Sequence, residues 1–171
     1  MLILLSWLFL ILAIAIKVDS HGSVFYRQVR VTTGNRDFRI FKFRTMVNNA
    51  DKIGSLVTTG NDSRITRVGA KIRKCRLDEI PQLLNILKGE MSFVGTRPEV
   101  RKYVDRYTDE MMATLLMPAG VTSLASISFK DEDELIDEYT EKGMSVDDAY
   151  MEKVLPEKMK YNLEYMNQFG A

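Results

Sequence analysis

The sequence predicts an α+β fold, with an N-terminal membrane-inserted helix, a small β-hairpin or sheet, and several surface or interfacial helices. Three observations favour this fold. The first 16 residues carry no charge, whereas the rest of the chain holds 24 Lys and Arg and 23 Asp and Glu side chains. Residues 22–44 alternate between apolar and polar side chains, which is typical of strands. The later segments contain helix-starting and helix-ending residues around apolar positions.

The length and composition indicate one domain with an N-terminal appendage. A chain of 171 residues, of which 46% are hydrophobic, is long enough for one sizeable core. We divide it into a hydrophobic anchor, residues 1–20, and a domain of residues 21–171. A net charge of +1 removes the broad basic field that non-specific nucleic-acid binding needs, so we expect no nucleic-acid partner. One cysteine and one histidine exclude a disulfide framework and a histidine-built metal cage.

The first element is the apolar segment Leu2–Ile16. As a helix it would be about 22 Å long, short of the roughly 30 Å hydrocarbon core, so we expect it to enter one leaflet. Lys17 and Asp19 end the apolar run, and Trp7 is a candidate interfacial or packing residue. Two alternatives stay open. One is a secretory signal peptide, which the absence of Lys or Arg before the run disfavours, and the other is a buried core helix.

The next elements are two alternating segments, Gly22–Val31 and Phe38–Arg44, which predict a hairpin with its turn at residues 32–35. The polar face of this hairpin is expected to carry Arg27 or Arg30, and Arg39, Lys42 and Arg44. Such a face is either solvated or an anion-binding surface. Residues 47–59 indicate a helix and a loop, and residues 58–63 indicate a turn-rich connection.

The segment from Arg73 to Gly89 predicts a helix with carboxylates at its start. Asp78 fits the N-cap, Pro81 fits the first turn, and Gly89 fits the position after the helix end. The apolar face of this helix would consist of Ile80, Leu83, Leu84 and Leu87. Asp78 and Glu79 would lie at the positive end of the helix dipole, directly after Arg73, Lys74 and Arg76. This arrangement suits a phosphate, although an ordinary capping pair has the same pattern.

The segment after Gly89 predicts a short strand and then a loop that carries Arg97 and Glu99. Arg97 precedes Pro98, which restricts its backbone to extended geometry. It could bind a diphosphate through two hydrogen bonds, or it could be a solvent-facing loop residue.

The C-terminal third predicts a loop and a short strand over residues 117–126, followed by helices. The acidic run Asp131–Glu134 is interpreted as a solvated helix start rather than as a metal site. Residues 144–166 predict a helix that Pro156 breaks or restarts. The sequence contains no dinucleotide or P-loop glycine motif, and Cys75 and His21 have no third member of a catalytic triad.

Several blocks together resemble the bacterial sugar transferases, specifically the small monotopic polyprenyl-phosphate phosphoglycosyl transferases. The blocks are residues 16–28, residues 41–46 (Phe-Lys-Phe-Arg-Thr-Met) and residues 77–99, which begin Leu-Asp-Glu-Ile-Pro-Gln. The last block is highly specific. Leu155-Pro156-Glu157-Lys158, followed by Tyr161 and Tyr165, is similar to the C-terminal part of the small members.

The resemblance implies transfer of a phospho-sugar from a UDP-sugar to a membrane polyprenol phosphate, undecaprenyl phosphate, with release of UMP. This is the first step of envelope glycan or glycoconjugate synthesis. Asp78 is implied to be the nucleophile that forms an aspartyl phospho-sugar intermediate, and Glu79, with Asp78, to hold Mg²⁺. The substrate-binding residues implied on the same basis are Lys42, Arg44, Arg73, Arg97 and Glu99. A metal, a helix N-terminus and arginines would offset the repulsion between a carboxylate and a diphosphate.

The resemblance also implies a location and partners. The anchor would be re-entrant, in contact with membrane lipid, and residues 21–171 would form a catalytic domain at the cytoplasmic face of the bacterial plasma membrane. A homodimer is a further expectation. The sequence departs from the family pattern where Trp7 follows Ser6 in place of proline and where Thr96 precedes Arg97 in place of proline. Without the proline kink, the chain lacks the family's N-terminal part, or Ser6 alone bends the helix, or the anchor lies shallowly.

Two other classes of function are weighed against the transferase. The first is a non-catalytic, membrane-anchored scaffold or lipid-binding module of a glycan assembly complex, which would bind without turnover. The second is a soluble domain in which Leu2–Ile16 is a core helix. The intact Asp78-Glu79 pair favours the enzyme over the scaffold.

Overall fold

The structure is a computed structural model that describes residues 6–58, 62–129 and 132–169. Its strands are β1 (Phe25–Thr32), β2 (Arg36–Phe43), β3 (Ser92–Val94) and β4 (Gly120–Thr122). Its α-helices are α1 (Ser6–Asp19), α2 (Ala50–Ile53), α3 (Arg67–Lys74), α4 (Leu83–Leu87), α5 (Arg101–Val104), α6 (Asp109–Ala113), α7 (Leu124–Ser128), α8 (Glu132–Glu141), α9 (Val146–Ala149) and α10 (Leu155–Phe169). Short 3₁₀ segments occupy Thr33–Asn35, Leu77–Gln82 and Thr114–Leu116, and a π-helical turn occupies Tyr150–Val154. The mixture of helices with two small sheets confirms the predicted α+β class.

The predicted hairpin is confirmed by β1 and β2, which pair antiparallel from Phe25 opposite Phe43 to Thr32 opposite Arg36. A 3₁₀ turn joins them, and Gly34 adopts a positive φ of 70° there, which a glycine accommodates without strain. The prediction of one shared cationic face is wrong. Side chains directly opposite each other point to the same side of a sheet, and successive side chains alternate. Arg30 therefore shares a face with Lys42, whereas Arg27 and Arg39 lie on the other face.

The helix α1 extends the predicted apolar helix to Asp19, and residues 2–5 of that prediction lie outside the described residues. One side of α1 packs on the domain, where Leu12 and Ile16 contact Phe43 and Ile72 in a buried cluster. The opposite side is apolar and exposed; it consists of Trp7, Leu10, Ile11, Ile14 and Val18. Within the described ranges, no helix is both long and apolar enough to cross a membrane. The alternative of a wholly buried core helix does not match this exposed stripe.

Polar contacts fix the end of α1 to the domain. The Asp19 carboxylate accepts a hydrogen bond of 3.0 Å from the Val68 backbone N–H, at the start of α3. Arg44 donates to the carbonyl oxygens of Ser20, at 2.7 Å, and His21. The helix α1 is therefore attached to α3 and to the residue that follows β2.

The segment that carries the two carboxylates differs from the predicted helix. It forms a 3₁₀ segment, Leu77–Gln82, and the position before it is occupied by Arg76 in a left-handed conformation, so Asp78 is not an N-cap. Pro81 has no N–H to give to an α-helical hydrogen bond, and the chain winds more tightly until α4 begins after it. Gly89 follows the helix end with a φ of 71°, as predicted.

The predicted apolar face of this region is wrong, because the buried residue of α4 is the polar Asn85, and the α4 side chain that packs on the core beneath β2 is Ile86. Leu87 is 72% exposed, whereas Asn85 is fully buried. The Asn85 side chain accepts from the Phe41 N–H at 2.9 Å and donates to the Arg39 carbonyl at 2.9 Å. One amide thus satisfies two backbone groups on the outer edge of β2 and holds the carboxylate segment against the hairpin.

The C-terminal segments pack around Ile136, Val154, Leu155 and Met159, which form the largest buried cluster together with tyrosines of α5 and the π-turn. The prediction that Pro156 breaks or restarts the helix is met in part: α10 begins at Leu155, but the chain stays helical and does not break there. The helix continues from α9 through the π-turn into α10, and the Leu155 N–H bonds to the Tyr150 carbonyl. The wider turn directly before Pro156 absorbs the missing hydrogen bond. The predicted short strand and the helix in the acidic run are confirmed as β4 and α8, although Asp131 lies outside the described residues.

Candidate active site

A cavity of about 590 Å³ lies between the inner face of the hairpin, the 3₁₀ carboxylate segment, the loop after β3, and α8 and α10. Its wall is densely charged. The described cations in the wall are Arg30, Lys42, Arg73, Lys74, Arg76, Arg97 and Lys158, and the described carboxylates are Asp78, Glu79, Glu99, Glu132 and Asp133. The excess of cations suits a ligand with several negative charges.

Asp78 is the less partnered of the two adjacent carboxylates. It is 7% exposed, and no side chain in the described part of the chain donates a hydrogen bond to it. Burial raises the pKa of Asp78, and Lys42 and Arg73 oppose that rise. Its one donor among the described residues is a backbone N–H of its own residue, so most of its lone pairs stay available for a nucleophilic attack in this cationic cavity.

Glu79 is held differently, although it is the next residue. Its Oε1 lies 2.8 Å from Lys42 Nζ and 3.5 Å from an Arg97 terminal nitrogen. Burial acts to raise the pKa of Glu79, but these two cations outweigh it and lower the pKa to about 2. Glu79 is therefore ionised at neutral pH and fixed in place by β2 and by the loop after β3.

Close backbone packing positions the loop that carries Arg97. A side chain at Gly95 would collide with the Pro118 carbonyl, so only glycine allows this approach to β4. The Thr96 N–H bonds to the Pro118 carbonyl at 3.0 Å, and the Gly120 N–H bonds to the Thr96 carbonyl at 2.8 Å. Arg97 is thus directed into the cavity from a rigid support.

Glu99 lies in the cavity wall with all of its oxygens engaged. Its Oε1 accepts from the Tyr150 hydroxyl at 2.7 Å and from Lys158 Nζ at 3.4 Å, and its Oε2 lies 3.8 Å from Arg30. Burial acts to raise the pKa of Glu99, but Lys158, Arg30 and the tyrosine hydrogen bond outweigh it and lower the pKa. Its assignment to substrate binding stays a prediction, and its contacts are those of a group that organises the wall.

The structure brings together six of the seven residues predicted from the sequence. Asp78, Glu79, Lys42, Arg73, Arg97 and Glu99 line the cavity, and Arg73 also donates to the Thr58 hydroxyl at 3.1 Å. Arg44 is the exception. It lies outside this wall, 6% exposed, and its two terminal nitrogens donate to the backbone carbonyls that follow α1.

The sequence analysis missed Lys158 and Tyr150. Lys158 is 4% exposed, and its Nζ also lies 3.1 Å from a Glu132 oxygen and 3.0 Å from the Tyr150 hydroxyl. A signal was present, because positions 155, 158, 159 and 162 follow the spacing of one helix face and Lys158 falls on that buried face. Glu132 was interpreted only as part of a solvated helix start.

The fit of a metal ion depends on the carboxylate pair. No cluster of three or more His, Cys, Asp or Glu side chains suited to a metal occurs among residues 6–58, 62–129 and 132–169. Mg²⁺, however, is commonly bound by one or two carboxylates, with phosphates and water completing its shell. Asp78 and Glu79 both face the cavity and fit that second mode.

The charged cavity holds one ion-paired carboxylate and one that has no side-chain donor among the described residues, a combination suited to phosphate esters. The sequence comparison agrees with this class. A model of the bacterial sugar transferase family matches residues 1–169, and the chain belongs to that family.

The relatives include transferases that act with undecaprenyl phosphate. The chain is 50% identical over 127 residues to the UDP-N-acetylgalactosamine-undecaprenyl-phosphate N-acetylgalactosaminephosphotransferase of Aeromonas hydrophila. The aligned region covers 72% of this chain and 30% of that protein. It is 36% identical over 156 residues to the UDP-glucose:undecaprenyl-phosphate glucose-1-phosphate transferase of Klebsiella pneumoniae, covering 88% and 33%. It is 40% identical over 101 residues to a putative undecaprenyl-phosphate N-acetylgalactosaminyl 1-phosphate transferase of Bacillus subtilis, covering 59% and 56%. The chain thus spans less than two thirds of the length of each.

Proposed function

We propose that this chain is a phosphoglycosyl transferase that moves a phospho-sugar from a UDP-sugar to undecaprenyl phosphate and releases UMP. The observation that carries the proposal is the contrast within the carboxylate pair. Asp78 is buried without a side-chain donor among the described residues, whereas Glu79 is neutralised by Lys42 and Arg97 in the same cavity. The relatives that transfer sugar phosphates to undecaprenyl phosphate supply the reaction class.

The reaction proceeds in two displacements. A carboxylate oxygen of Asp78 attacks the phosphorus that bears the sugar, and the bond from that phosphorus to the oxygen bridging the two phosphates breaks. UMP leaves with the electron pair. A phosphate oxygen of undecaprenyl phosphate then attacks the same phosphorus, the bond to Asp78 breaks, and the carboxylate is restored. The products are UMP and a polyprenyl diphosphate sugar.

The cations of the cavity reduce the repulsion between Asp78 and the diphosphate. Among the cations, Lys42 and Arg73 have the largest electrostatic effects on Asp78, and Arg97 lines the same cavity beside Glu79. Asp78 and Glu79 are the residues that would hold Mg²⁺, and the ion would neutralise diphosphate charge when it is bound. Preformed cations of this kind need no reorganisation when the donor arrives.

The exposed stripe of α1 supports the membrane part of the proposal. Trp7, Leu10, Ile11 and the other apolar side chains on this side are exposed, and water is an unfavourable environment for such a continuous apolar surface. We place this stripe in the cytoplasmic leaflet of the plasma membrane, where undecaprenyl phosphate would be available to the site. Flotation of the protein with lipid vesicles tests this placement.

UMP release tests the proposed activity directly. The detergent-purified protein is incubated with UDP-N-acetylgalactosamine, UDP-glucose or other UDP-sugars, together with undecaprenyl phosphate and Mg²⁺, beside Asp78→Asn. We expect release from one donor, with multiple turnovers only when the lipid is present. Absence of release from every donor by the folded protein would contradict the proposal and favour a scaffold that binds lipid without turnover.

A further inference from the structure

A second cavity, of about 250 Å³, meets the first one at the proposed nucleophile. Asp78, Lys42 and Arg73 line both cavities, as do Arg30, Leu56 and Thr58. The two spaces therefore adjoin at the same carboxylate. The proposed double displacement needs only one cavity beside Asp78, so it does not explain the second one.

The second cavity has a different chemical character from the first. Four larger apolar side chains line only the second cavity: Phe25, Phe43, Met46 and Val47. They stand beside charged side chains that also line only this cavity, among them Arg44 and Arg64. The first cavity is more than twice as large and is lined mainly by charged groups. A bulky, polyanionic nucleotide sugar suits the first cavity, whereas the second suits a ligand with one charged end and an apolar body.

The second cavity also lies on the side of the domain to which α1 is attached. Phe43 lines it and packs against Phe9 of α1, with the ring centroids 5.1 Å apart. Arg44 lines it as well and binds the carbonyl oxygens of the two residues that follow α1. Phe43 and Arg44 thus connect the second cavity to α1, the helix whose outer side carries the exposed apolar stripe.

We infer that the second cavity receives the acceptor, with the phosphate of the prenyl lipid at the junction and the start of its apolar chain against Phe25, Met46 and Val47. This inference rests on the proposed function and assigns separate spaces to the two substrates. The junction residues Lys42 and Arg73 supply the positive charge that the lipid phosphate needs there.

The order of events follows from the shared junction. The sugar-bearing phosphorus bonds to Asp78 as UMP leaves the first cavity. The lipid phosphate then moves across the junction into the space vacated by UMP, which lies opposite the Asp78 oxygen, while its chain stays in the second cavity. Its oxygen forms a bond to phosphorus as the Asp78–phosphorus bond breaks. No further reactant is required.

Two half-reactions can be measured separately, and they distinguish the cavities. The donor half-reaction is the Mg²⁺-dependent exchange of labelled UMP into the UDP-sugar, without any lipid. The complete reaction is UMP release driven by undecaprenyl phosphate. Val47 lines only the second cavity and is 40% exposed, so Val47→Trp narrows that space with little risk to the core. Val57 lines only the first cavity, and Val57→Trp is the matched variant.

We expect Val47→Trp to lower the ratio of lipid-driven turnover to UMP exchange at least tenfold, through a higher KM for the lipid. We expect Val57→Trp to lower the exchange itself, with thermal unfolding and flotation showing that both variants are folded and bind vesicles. A short-chain, water-soluble prenyl phosphate used in place of the natural lipid should give the same pattern for Val47→Trp.

An equal loss of both activities in Val47→Trp, or no loss, would overturn the inference. A selective loss of exchange in that variant would do so as well, and would assign the second cavity to the nucleotide. Failure of the proposed function is a different result, because the unsubstituted protein would then show neither exchange nor turnover with any donor.

Discussion

Two clusters of carboxylates and cations face the same cavity, and they are built in different ways. Around Glu99, both oxygens are engaged by Lys158, Tyr150 and Arg30. In the carboxylate pair, Glu79 is engaged by Lys42 and Arg97, but Asp78 has no side-chain donor among the described residues. Hydrogen bonds and ion pairs to both oxygens fix Glu99 in the wall, whereas the absence of a side-chain donor leaves Asp78 able to react. The difference separates the residue proposed to form a bond from the residues that hold it in place.

The largest expected effect is the loss of activity when the Asp78 carboxylate is removed. We expect Asp78→Asn to lower UMP release by at least about 10³-fold, because the amide cannot displace UMP. The free energy of unfolding should stay the same or rise, because a neutral group replaces a buried carboxylate. Measurements of UMP release and of chemical unfolding on the same sample check both. More than a tenth of the original activity in this variant would contradict the role of Asp78.

Loss of a cation from the cluster around Glu99 should instead lower the stability of the fold. Lys158→Met leaves Glu99 and Glu132 without their shared cation in a buried position, and we expect the free energy of unfolding to fall by about 3 kcal/mol. Denaturant unfolding in detergent measures this fall. Lys158→Met combined with Glu99→Gln should recover part of the loss, because the buried charge is then removed as well. An unchanged unfolding midpoint in Lys158→Met would mean that the cluster does not stabilise the wall.

Arg97 lines the cavity beside both clusters. We expect the effect of its removal on activity to be smaller than that of removing the Asp78 carboxylate. We expect Arg97→Gln to lower kcat/KM for the donor by about 10²-fold, since a charge-stabilising donor is lost from the cavity and Glu79 keeps only Lys42. Arg101→Gln is the matched control, because Arg101 pairs with Asp37 outside the cavity wall. Steady-state kinetics of the two variants make the comparison. Equal effects of both would exclude a specific role for Arg97.

The smallest expected effect is on the pH dependence of stability, which should differ between Glu99 and Asp78. The pKa of Glu99 is lowered in the folded protein, so its contribution to stability is present above the ordinary glutamate value of about 4.3 and is lost as the pH falls below it. The pKa of Asp78 is raised, so its contribution is present below the ordinary aspartate value of about 3.9 and is lost as the pH rises.

The two shifts therefore act in opposite directions during acid titration. Relative to the original protein, Glu99→Gln should lose less stability between pH 7 and about pH 3, whereas Asp78→Asn should lose more. Thermal unfolding across this range measures both slopes. Identical slopes in the two variants would show that the two environments do not differ as described.

Local sequence signals predicted the elements whose side chains alternate or repeat regularly. The hairpin followed from strict alternation and turn residues, and the helix in the acidic run followed from its charge pattern. The signals failed where tertiary contacts decide. Asn85 is buried because it binds two backbone groups of β2, which no helical periodicity shows. Pro156 stays inside a helix because a π-turn before it absorbs the missing hydrogen bond.

The site could be predicted only in part for a related reason. Asp78 and Glu79 stand out because they are adjacent carboxylates after a basic run, and Arg97 stands out because of its neighbouring proline. Lys158 and Tyr150 lie more than 50 residues from Glu99, and only the folded chain brings them to it. Arg44 shares a motif with Lys42, yet it binds backbone carbonyls at the base of α1. A motif shows which residues occur together in sequence, and it does not show which of them face the ligand.

The attachment of α1 has a practical consequence for handling the protein. Its inner side covers Phe43 and Ile72, its last residue caps the Val68 N–H, and Arg44 is tied to the carbonyls that follow it. A truncated chain that starts after Asp19 would lose the exposed apolar stripe of α1 but would expose Phe43 and Ile72 instead. It would also loosen a wall of the second cavity, which Phe43 lines. Removal of the helix is therefore an unsuitable route to a water-soluble enzyme. Detergents or nanodiscs that shield the outer stripe while keeping the helix in place should preserve the site.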